Sequence, residues 1–597
     1  MKKIQSEINR RNLSGTVFSP HLQIVPHTLK HGSPCYILGI NTFFHDAAAC
    51  LLKDDRVVFA AEEERFNRRK HYTGFPKRAI SECLKSQNLT MNDIDLVVFY
   101  EDPILKLRRI LTHNNKNEQN LLKKIQGHMA GSLSFETILR STFGYTGPIE
   151  YMQHHYSHAA SAFFPSPFEE AAILTVDAVG EYSTANLFYG KGNTLKRMEV
   201  FMDYPHSLGM LYSSLTAYLG FKVNNDEYKV MGLASYGKPL LTDAFRKLIN
   251  DCSPTSFNLN MDYFVFDKSD ESIYNKEAWS NLFGFAPRVP ESSILEEHKN
   301  LAATLQCFTE EILVAMAREA KARTNSNNLC FAGGVALNGV ANEKILKHSG
   351  FKQMFVQPAA GDAGGSVGAA MLGYFGCLGN IRKPHQTYST LLGPEYSNDS
   401  VREMLEEEFT EYQYMEDDAL MEWVADRIFK NKIVGWFQGR MEYGPRALGC
   451  RSILANPCNP EMQDILNLRV KHREDFRPFA PAILAEESQK YFDFPSESPY
   501  MLFVAPVHED KKAKIPAVTH VDGSARLQTV TESENPRFYR LIKTFEKISG
   551  VPVFINTSFN VRGEPIVCTP RDAFNCFLTT GIDILVLENC VVEKKAV

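Results

Sequence analysis

The chain has 597 residues, 44% of them hydrophobic, and since a single core rarely grows past about 250–300 residues, at least two domains are expected. Lys plus Arg total 65 against 70 Asp plus Glu, a formal net charge of −5, which excludes a basic surface spread over the whole chain and argues against a nucleic-acid partner. The 12 cysteines include no Cys-x-x-Cys pair and no segment reaches the uncharged length of a membrane span, so a soluble, cytoplasmic protein with reduced thiols and no membrane partner is expected.

Residues 1–34 are polar without apolar periodicity and read as an N-terminal extension. A strand at Tyr36–Ile40, a turn over Asn41–Asp46 and a second strand at Ala47–Leu52 follow. Residues 104–143 carry helical spacing, with Leu105, Leu107, Ile110 and Leu111 apolar, and read as an inserted helical region. The segment Tyr151-Met-Gln-His-His-Tyr-Ser-His158 then places His154 and His158 one above the other on a helix face. That spacing suits a metal ion, imidazole being the commonest protein ligand, and the alternative is a pair of ordinary packed helix residues.

A strand at Ala172–Val176 ends on Asp177, and a second strand at Ser183–Phe188 repeats the first hairpin, with Asp177 in the place of Asn41. Such repetition predicts two half-domains of one topology facing a cleft. Leu329–Ala332 runs into Gly333-Gly334 and a helix over Val340–Leu346, a strand–glycine–helix layout that either cradles phosphate or makes a tight turn. Asp362, in the glycine-rich stretch Ala360–Gly365 ahead of the small residues Ser366–Met371, is expected at a strand end like Asp177. The texture breaks near 380–400, and the boundary is set there: 35–385 for the larger domain, 386–597 for the smaller.

The smaller domain opens with a helix at Val401–Phe409 and a buried strand at Ile433–Phe437, followed by Arg440, Arg446 and Arg451 within Gly439–Arg451. Arg469–Phe479 then mixes four cations (Arg469, Lys471, Arg473, Arg477) with aromatic residues and proline, and polar islands follow at Asp522–Arg526 and at Asn556–Asn560, after a strand Val551–Ile555. Guanidinium groups bind phosphate and carboxylate bidentately, and no P-loop or dinucleotide fingerprint competes for that role. The other reading is a set of structural ion pairs with Glu442, Glu474 and Asp475.

Together, Phe44-His45-Asp46-Ala47-Ala48, Glu62–Phe66, His154–His158, Glu227–Ala234, Gly333–Asn338, Gly444–Gly449 and Asn556–Asn560 resemble the O-carbamoyltransferases of natural-product and nodulation-factor biosynthesis over about Tyr36 to Leu587. The resemblance implies an α/β chain. An actin-like ATPase-fold (ASKHA, Kae1-like) domain with duplicated half-domains would be followed by a smaller α/β YrdC-like domain. It also implies that the smaller domain makes carbamoyl-adenylate from ATP, with Mg, and carbamoyl phosphate, and that the larger transfers the carbamoyl group to a hydroxyl of a small natural product. Carried over residue by residue, it gives His45 as the base and His154, His158, Asp177 and Asp362 as ligands of Fe(II), a set that manganese or zinc would also suit. Arg446, Lys471, Arg477, Arg526, Asn556 and Ser558 become carbamoyl phosphate and nucleotide contacts, and Gly333, Gly334 and Asn338 the adenylate contacts of the larger domain. Two sites opening into a shared passage are expected, with Arg440 and Arg451 as lining or as structural ion pairs. The acceptor is not named by the sequence, and a homodimer stays open. The competing functions are a tRNA threonylcarbamoyladenosine-type transferase, which would call for a basic face, and a non-catalytic nucleotide-sensing actin-like scaffold.

Overall fold

The structure, a computed structural model, describes residues 34–113, 118–266, 272–383, 388–474 and 476–594. The expected N-terminal extension, Pro34 excepted, and Asp475 lie outside the described residues. The chain forms two compact units, one running to Glu63 and from His71 to Tyr388, the other made of Glu64–Lys70 and the chain from Ser389 onward. Placing all of 35–385 in the larger domain therefore needs correction at Glu64–Lys70. In the second unit, Arg65 donates to the Gly444 carbonyl at 2.8 Å and Arg68 to the Pro565 and Ile566 carbonyls, each at 2.7 Å. No local sequence pattern announces such distant partners.

In the first unit, β1 (Tyr36–Asn41), β2 (Ala48–Lys53) and β3 (Arg56–Glu62) form an antiparallel meander, and β4 (Leu96–Phe99) and β5 (Ile149–Tyr151) add in parallel beside β1. The sheet order is β3-β2-β1-β4-β5. The pattern returns with β6 (Glu170–Val176), β7 (Ser183–Lys191) and β8 (Thr194–Asp203) antiparallel. A small ribbon of β9 (Ile249–Asn250) and β10 (Asn258–Leu259) intervenes, and then β11 (Asn328–Ala332) and β12 (Gln353–Val356) join in parallel beside β6. The order β12-β11-β6-β7-β8 repeats that of the first sheet strand for strand. The first and fourth strands of each sheet are nearly continuous apolar runs, as strands covered on both faces require. The expected helical region consists of helices Pro103–His113, Glu118–Ala130 and Phe135–Phe143.

Two buried helices, His154–Phe163 and Ala363–Met371, pack against each other. The second is built of Ala, Gly and Ser with few larger residues, and this lets the backbones close. A Cβ added to Gly368 would lie 1.8 Å from the Ser157 carbonyl oxygen, a spacing no larger residue can share.

The second unit holds one sheet of β13 (Gln413–Tyr414), β14 (Val434–Phe437), β15 (Arg451–Ala455), β16 (Ala480–Leu484), β17 (Phe503–Pro506), β18 (Ser524–Val530), β19 (Val553–Ser558), β20 (Ile584–Leu587) and β21 (Cys590–Glu593). Its order is β13-β21-β20-β14-β15-β19-β16-β18-β17. Helices Asp417–Phe429 and Pro536–Ser549 cover one face, where Leu420, Val424, Trp436, Leu454, Phe538, Phe545 and Phe554 are fully buried. Asn556-Thr557-Ser558 belongs to β19 rather than to a loop after it, because the antiparallel pairing with β15 continues to Ser452 opposite Ser558. Among the described residues, no helix is long and apolar enough to cross a membrane.

Candidate metal centre and anion-binding site

Local structure accounts for each candidate ligand in the first unit. His154 and His158 lie one turn apart on the helix His154–Phe163, whose ends carry charges opposed to its dipole. At the N-terminus, Glu181 accepts the His154 amide at 2.8 Å. At the C-terminus, the buried Arg382 donates to the carbonyls of Phe163, Phe164, Ser166 and Phe168. Asp177 follows β6 directly, and its Oδ1 accepts the amides of Ala178 at 2.7 Å and Gly334 at 3.2 Å. The other oxygen is thereby turned inward, 3.0 Å from His154 Nε2 and 2.9 Å from His158 Nε2. Asp362 starts the helix Ala363–Met371 instead of ending a strand, since β12 stops at Val356. Its Oδ1 lies 3.6 Å from His158 Nε2 and 3.8 Å from His154 Nε2.

All four donor atoms fall within 4.8 Å of one another, and all four residues are buried. Ligands about 2.0–2.2 Å from one ion stand roughly 3–3.5 Å apart, close to the spacings found. The two histidine Nε2 atoms, 3.0 Å apart, face one point, and Asp362 Oδ2 has no hydrogen-bond partner among the described residues. The residues therefore fit a single divalent ion, and two imidazoles with two carboxylates suit Fe(II), Mn(II) or Zn(II). His155 is no part of the set: it spends Nδ1 on Thr175 Oγ1 (2.8 Å) and Nε2 on the Ser183 carbonyl (2.7 Å), and burial holds its pKa well below the usual value. Burial opposes charge on His158 too, but the Asp177 and Asp362 carboxylates overcome it and raise the imidazole to about 9.

His45 stands at the edge of this cluster, its Nε2 3.7 Å from Asp362 Oδ2 and its Nδ1 2.9 Å from Asp46 Oδ2. Against the effect of burial, the charges of Asp362 and Asp46 raise it to about 10. Gly333 has φ 95°, and a Cβ there would lie 2.2 Å from the Val176 carbonyl oxygen, so its glycine is needed for the crossing of β6 by the chain leaving β11. The amide of Gly334 serves Asp177, while the Asn338 side chain caps the helix Gly339–His348 and pairs reciprocally with Gln306 at 2.9 and 3.1 Å. All three expected adenylate contacts thus have structural tasks.

In the second unit, Lys471 is buried and its Nζ donates to Asn560 O and Oδ1, both at 3.0 Å, to Ser558 Oγ at 3.4 Å and to the Ser558 carbonyl. Burial, followed by the neighbouring cations Arg473, Arg477 and Lys70, drives its pKa well below that of a free lysine. Asn560 had no assigned role in the sequence reading, although its motif contained it. Asn556 is 1% exposed, and its Nδ2 donates to Gln528 Oε1 at 2.7 Å and to the Ala447 carbonyl at 3.3 Å, while its Oδ1 has no hydrogen-bond partner among the described residues. Gln528 donates in turn to the Leu448 carbonyl at 3.0 Å. The turn carrying Arg446 is thus tied to the sheet face from which Gln528 and Arg526, two residues apart on β18, project. Arg446, Arg477 and Arg526 are half-buried.

The ion-pair reading holds for Glu474, which lies 3.5 Å from Arg477 and 3.8 Å from Arg562. Glu442 instead accepts the backbone amides of Leu448, Cys450 and Arg451. Arg440 and Arg451, expected as passage lining or as structural ion pairs, both donate to backbone carbonyls. Arg440 donates to the Leu392 and Gly393 carbonyls. Arg451, fully buried, stacks on Phe437 at 3.6 Å and donates to the carbonyls of Gln438, Gly439, Cys450 and Pro394.

Comparison with known proteins matches residues 36–371 to the family description "Carbamoyltransferase N-terminus" and residues 425–594 to "Carbamoyltransferase C-terminus". The chain belongs to the carbamoyltransferase family. It is a transferase enzyme. It is similar to the "Nodulation protein NolNO" of Sinorhizobium fredii, 37% identical over 577 residues that cover 93% of this chain and 80% of that one. It is also similar to the "Uncharacterized protein sll1178" of Synechocystis sp., 42% identical over 600 residues, 94% and 97% of the two chains. Among solved structures, component A of (R)-2-hydroxyglutaryl-CoA dehydratase from Acidaminococcus fermentans matches with a TM-score of 0.32 and 14% identity, covering 58% of this chain and 99% of that one.

Proposed function

We propose that this carbamoyltransferase is ATP-dependent and works in two steps. In the second unit, a YrdC-like domain, carbamoyl phosphate, ATP with Mg, and one water give carbamoyl-adenylate, phosphate and pyrophosphate. In the first unit, an actin-like domain of duplicated halves, the carbamoyl group passes to a hydroxyl of a small natural product. Support for the duplication comes from the two sheets of identical strand order. Support for an anion site in the second unit comes from Lys471 held against Ser558 and Asn560 amid Arg473 and Arg477. The guanidinium charge of the neighbouring arginines would bind the phosphates and disperse charge as phosphate and pyrophosphate depart.

The observation that carries the transfer step is the edge position of His45, 3.7 Å from a residue of the four-donor cluster. When bound, an ion held by His154, His158, Asp177 and Asp362, taken as Fe(II), would supply Lewis-acid polarisation of the adenylate phosphate. The protons fall to His45. As the acceptor oxygen bonds to the carbamoyl carbon, Nε2 takes the hydroxyl proton, the bond from that carbon to the phosphate oxygen breaks, and AMP leaves with the electron pair. An imidazole raised to about 10 is a poor base at neutral pH because it is already protonated. A cation held by Asp362 would offset one of the charges that raise it, and His45 would then be a usable base.

The two steps separate by substitution. Lys471→Ala should stop pyrophosphate release that depends on carbamoyl phosphate. His45→Ala should keep that release and slow transfer from supplied carbamoyl-adenylate by about 10²- to 10⁴-fold. Loss of pyrophosphate release in His45→Ala with transfer intact would overturn the assignment.

A further inference from the structure

Asp46 and His71 have no part in the assignment above, yet they form a connected chain with His45. Asp46 accepts at both oxygens: Oδ2 lies 2.9 Å from His45 Nδ1, and Oδ1 lies 2.6 Å from His71 Nδ1. The far nitrogen of His71, Nε2, is 2.8 Å from Asn225 Oδ1, and the amide nitrogen of Asn225 donates to Asp226 Oδ1 at 2.7 Å. That last bond orients the Asn225 amide, because a carboxylate can only accept. Asn225 Oδ1 then accepts a hydrogen bond from His71 Nε2, and Asp46 accepts one from each imidazole. The hydrogen on His45 is thereby fixed at Nδ1. Nε2, bare in the neutral ring, is the atom left facing the four-donor cluster.

The backbone is shaped to make this chain. Phe43, Asp46 and His71 have φ of 70°, 52° and 54°, left-handed values that cost a non-glycine residue free energy. The two turns are laced together by the Phe43 amide to the Thr73 carbonyl (3.0 Å), the Ala47 amide to the Tyr72 carbonyl (2.9 Å) and Thr42 Oγ1 to the Gly74 carbonyl (2.8 Å). Asn41 Nδ2 donates to the carbonyls of both His45 (3.3 Å) and Asp46 (2.8 Å). Three residues in left-handed conformations, held by this lacing, bring a carboxylate between two imidazoles.

We infer that Asp46, braced by His71 and Asn225, is the positioning residue of carbamoyl transfer. It holds His45 in the Nδ1–H tautomer and turns Nε2 toward the acceptor hydroxyl, the part an aspartate plays beside the histidine of a Ser-His-Asp triad. In the transfer step the Nδ1 proton stays on His45 within its bond to Asp46, and the hydroxyl proton arrives at Nε2. The resulting imidazolium faces the Asp46 carboxylate, whose charge offsets it. His71 keeps that carboxylate from rotating away. This inference rests on His45 being the base.

The test uses the full-length protein, synthetic carbamoyl-adenylate and excess glycerol as the probe alcohol, with glyceryl carbamate read by mass spectrometry. Asp46→Asn, nearly isosteric, should lower kcat by about 10²- to 10⁴-fold, leave the KM for carbamoyl-adenylate within a factor of about two, and keep metal content and pyrophosphate release unchanged. His71→Gln, which can still donate to Asp46, should retain more activity than His71→Ala by about tenfold. Imidazole nitrogen shifts of zinc-loaded, nitrogen-15 histidine-labelled protein should show Nδ1–H on His45 in the parent and a mixed tautomer in Asp46→Asn. If His45→Ala slows transfer but Asp46→Asn keeps the parent rate, the positioning role is wrong and the base stands. If His45→Ala transfers at the parent rate, the base assignment itself has failed. Loss of metal or of pyrophosphate release in Asp46→Asn would make the residue structural and overturn the inference.

Discussion

The closest approach behind the metal centre is also its weakest point for substitution. In Gly368→Ala, the new Cβ would lie 1.8 Å from the Ser157 carbonyl oxygen, 2.7 Å from its carbon and 3.0 Å from the Ser161 nitrogen. All three are backbone atoms of the histidine helix, so no side chain can swing aside. An ordinary contact needs about 3.5 Å, and the helices must part by roughly 1.5 Å. Overpacking of this kind costs about 1–3 kcal/mol, which lowers the melting temperature of a domain of this size by about 2–10 °C. The chemical effect is larger. Two donors on one ion stand at most about 4.4 Å apart, and the His158–Asp362 pair already spans 3.6 Å. Widening it by the helix displacement takes Asp362 out of reach. Calorimetry and elemental analysis of the purified variant should show a lowered transition and metal well below one ion per chain. Gly127→Ala, on an exposed helix with nothing within 4 Å of the added carbon, is the control and should leave both unchanged or slightly raise stability. Full metal occupancy and an unchanged melting temperature in Gly368→Ala would refute the reasoning.

Further outcomes are expected at the same centre. His158→Ala should abolish stoichiometric metal, and full occupancy in that variant would remove His158 from the ligand set. In the metal-free protein the Asp177 and Asp362 carboxylates outweigh burial and raise His158 to about 9, so metal binding at neutral pH should displace a proton. Zinc affinity, measured by competition calorimetry, should rise by up to about tenfold per pH unit from 6.5 and level off above 9; a flat profile would contradict the assignment. The same raised pKa stabilises the metal-free fold fully below about 6.5 and less as pH climbs through 9, so the apo melting temperature should fall over that window. Arg382→Lys keeps the charge but cannot reach four carbonyls with one ammonium, and should cost about 2–4 kcal/mol in chemical unfolding; an unchanged midpoint would remove Arg382 as the cap of the histidine helix.

Three of the candidate ligands carry local signatures, a four-residue histidine step and an acidic residue closing an apolar strand, whereas Asp362 was expected at a strand end and instead starts a small-residue helix. The repeated hairpin was legible for the same reason, and its two sheets have one strand order. What escaped depends on contacts distant in sequence. Asp46 and His71 are 25 residues apart, joined only when two left-handed turns meet. Glu181 and Arg382 look like ordinary surface charges until the helix they cap is in place. Arg451 read as a passage-lining or ion-paired arginine because burial of a guanidinium among backbone carbonyls leaves no local mark. Asn556 and Asn560 share one motif, yet strand alternation and the chain's exit from β19 send the first into the sheet and the second to Lys471.

The most direct measurement is mass spectrometry of reactions containing the metal-loaded protein, ATP, carbon-13-labelled carbamoyl phosphate and a panel of hydroxylated natural products. The expected result is one labelled carbamoyl group on a hydroxyl of at least one acceptor, with AMP and pyrophosphate formed in step and nothing transferred when ATP is left out. Labelled product formed equally well without ATP would contradict the adenylate route, and AMP formed without labelled product on any acceptor would contradict transfer at the metal centre.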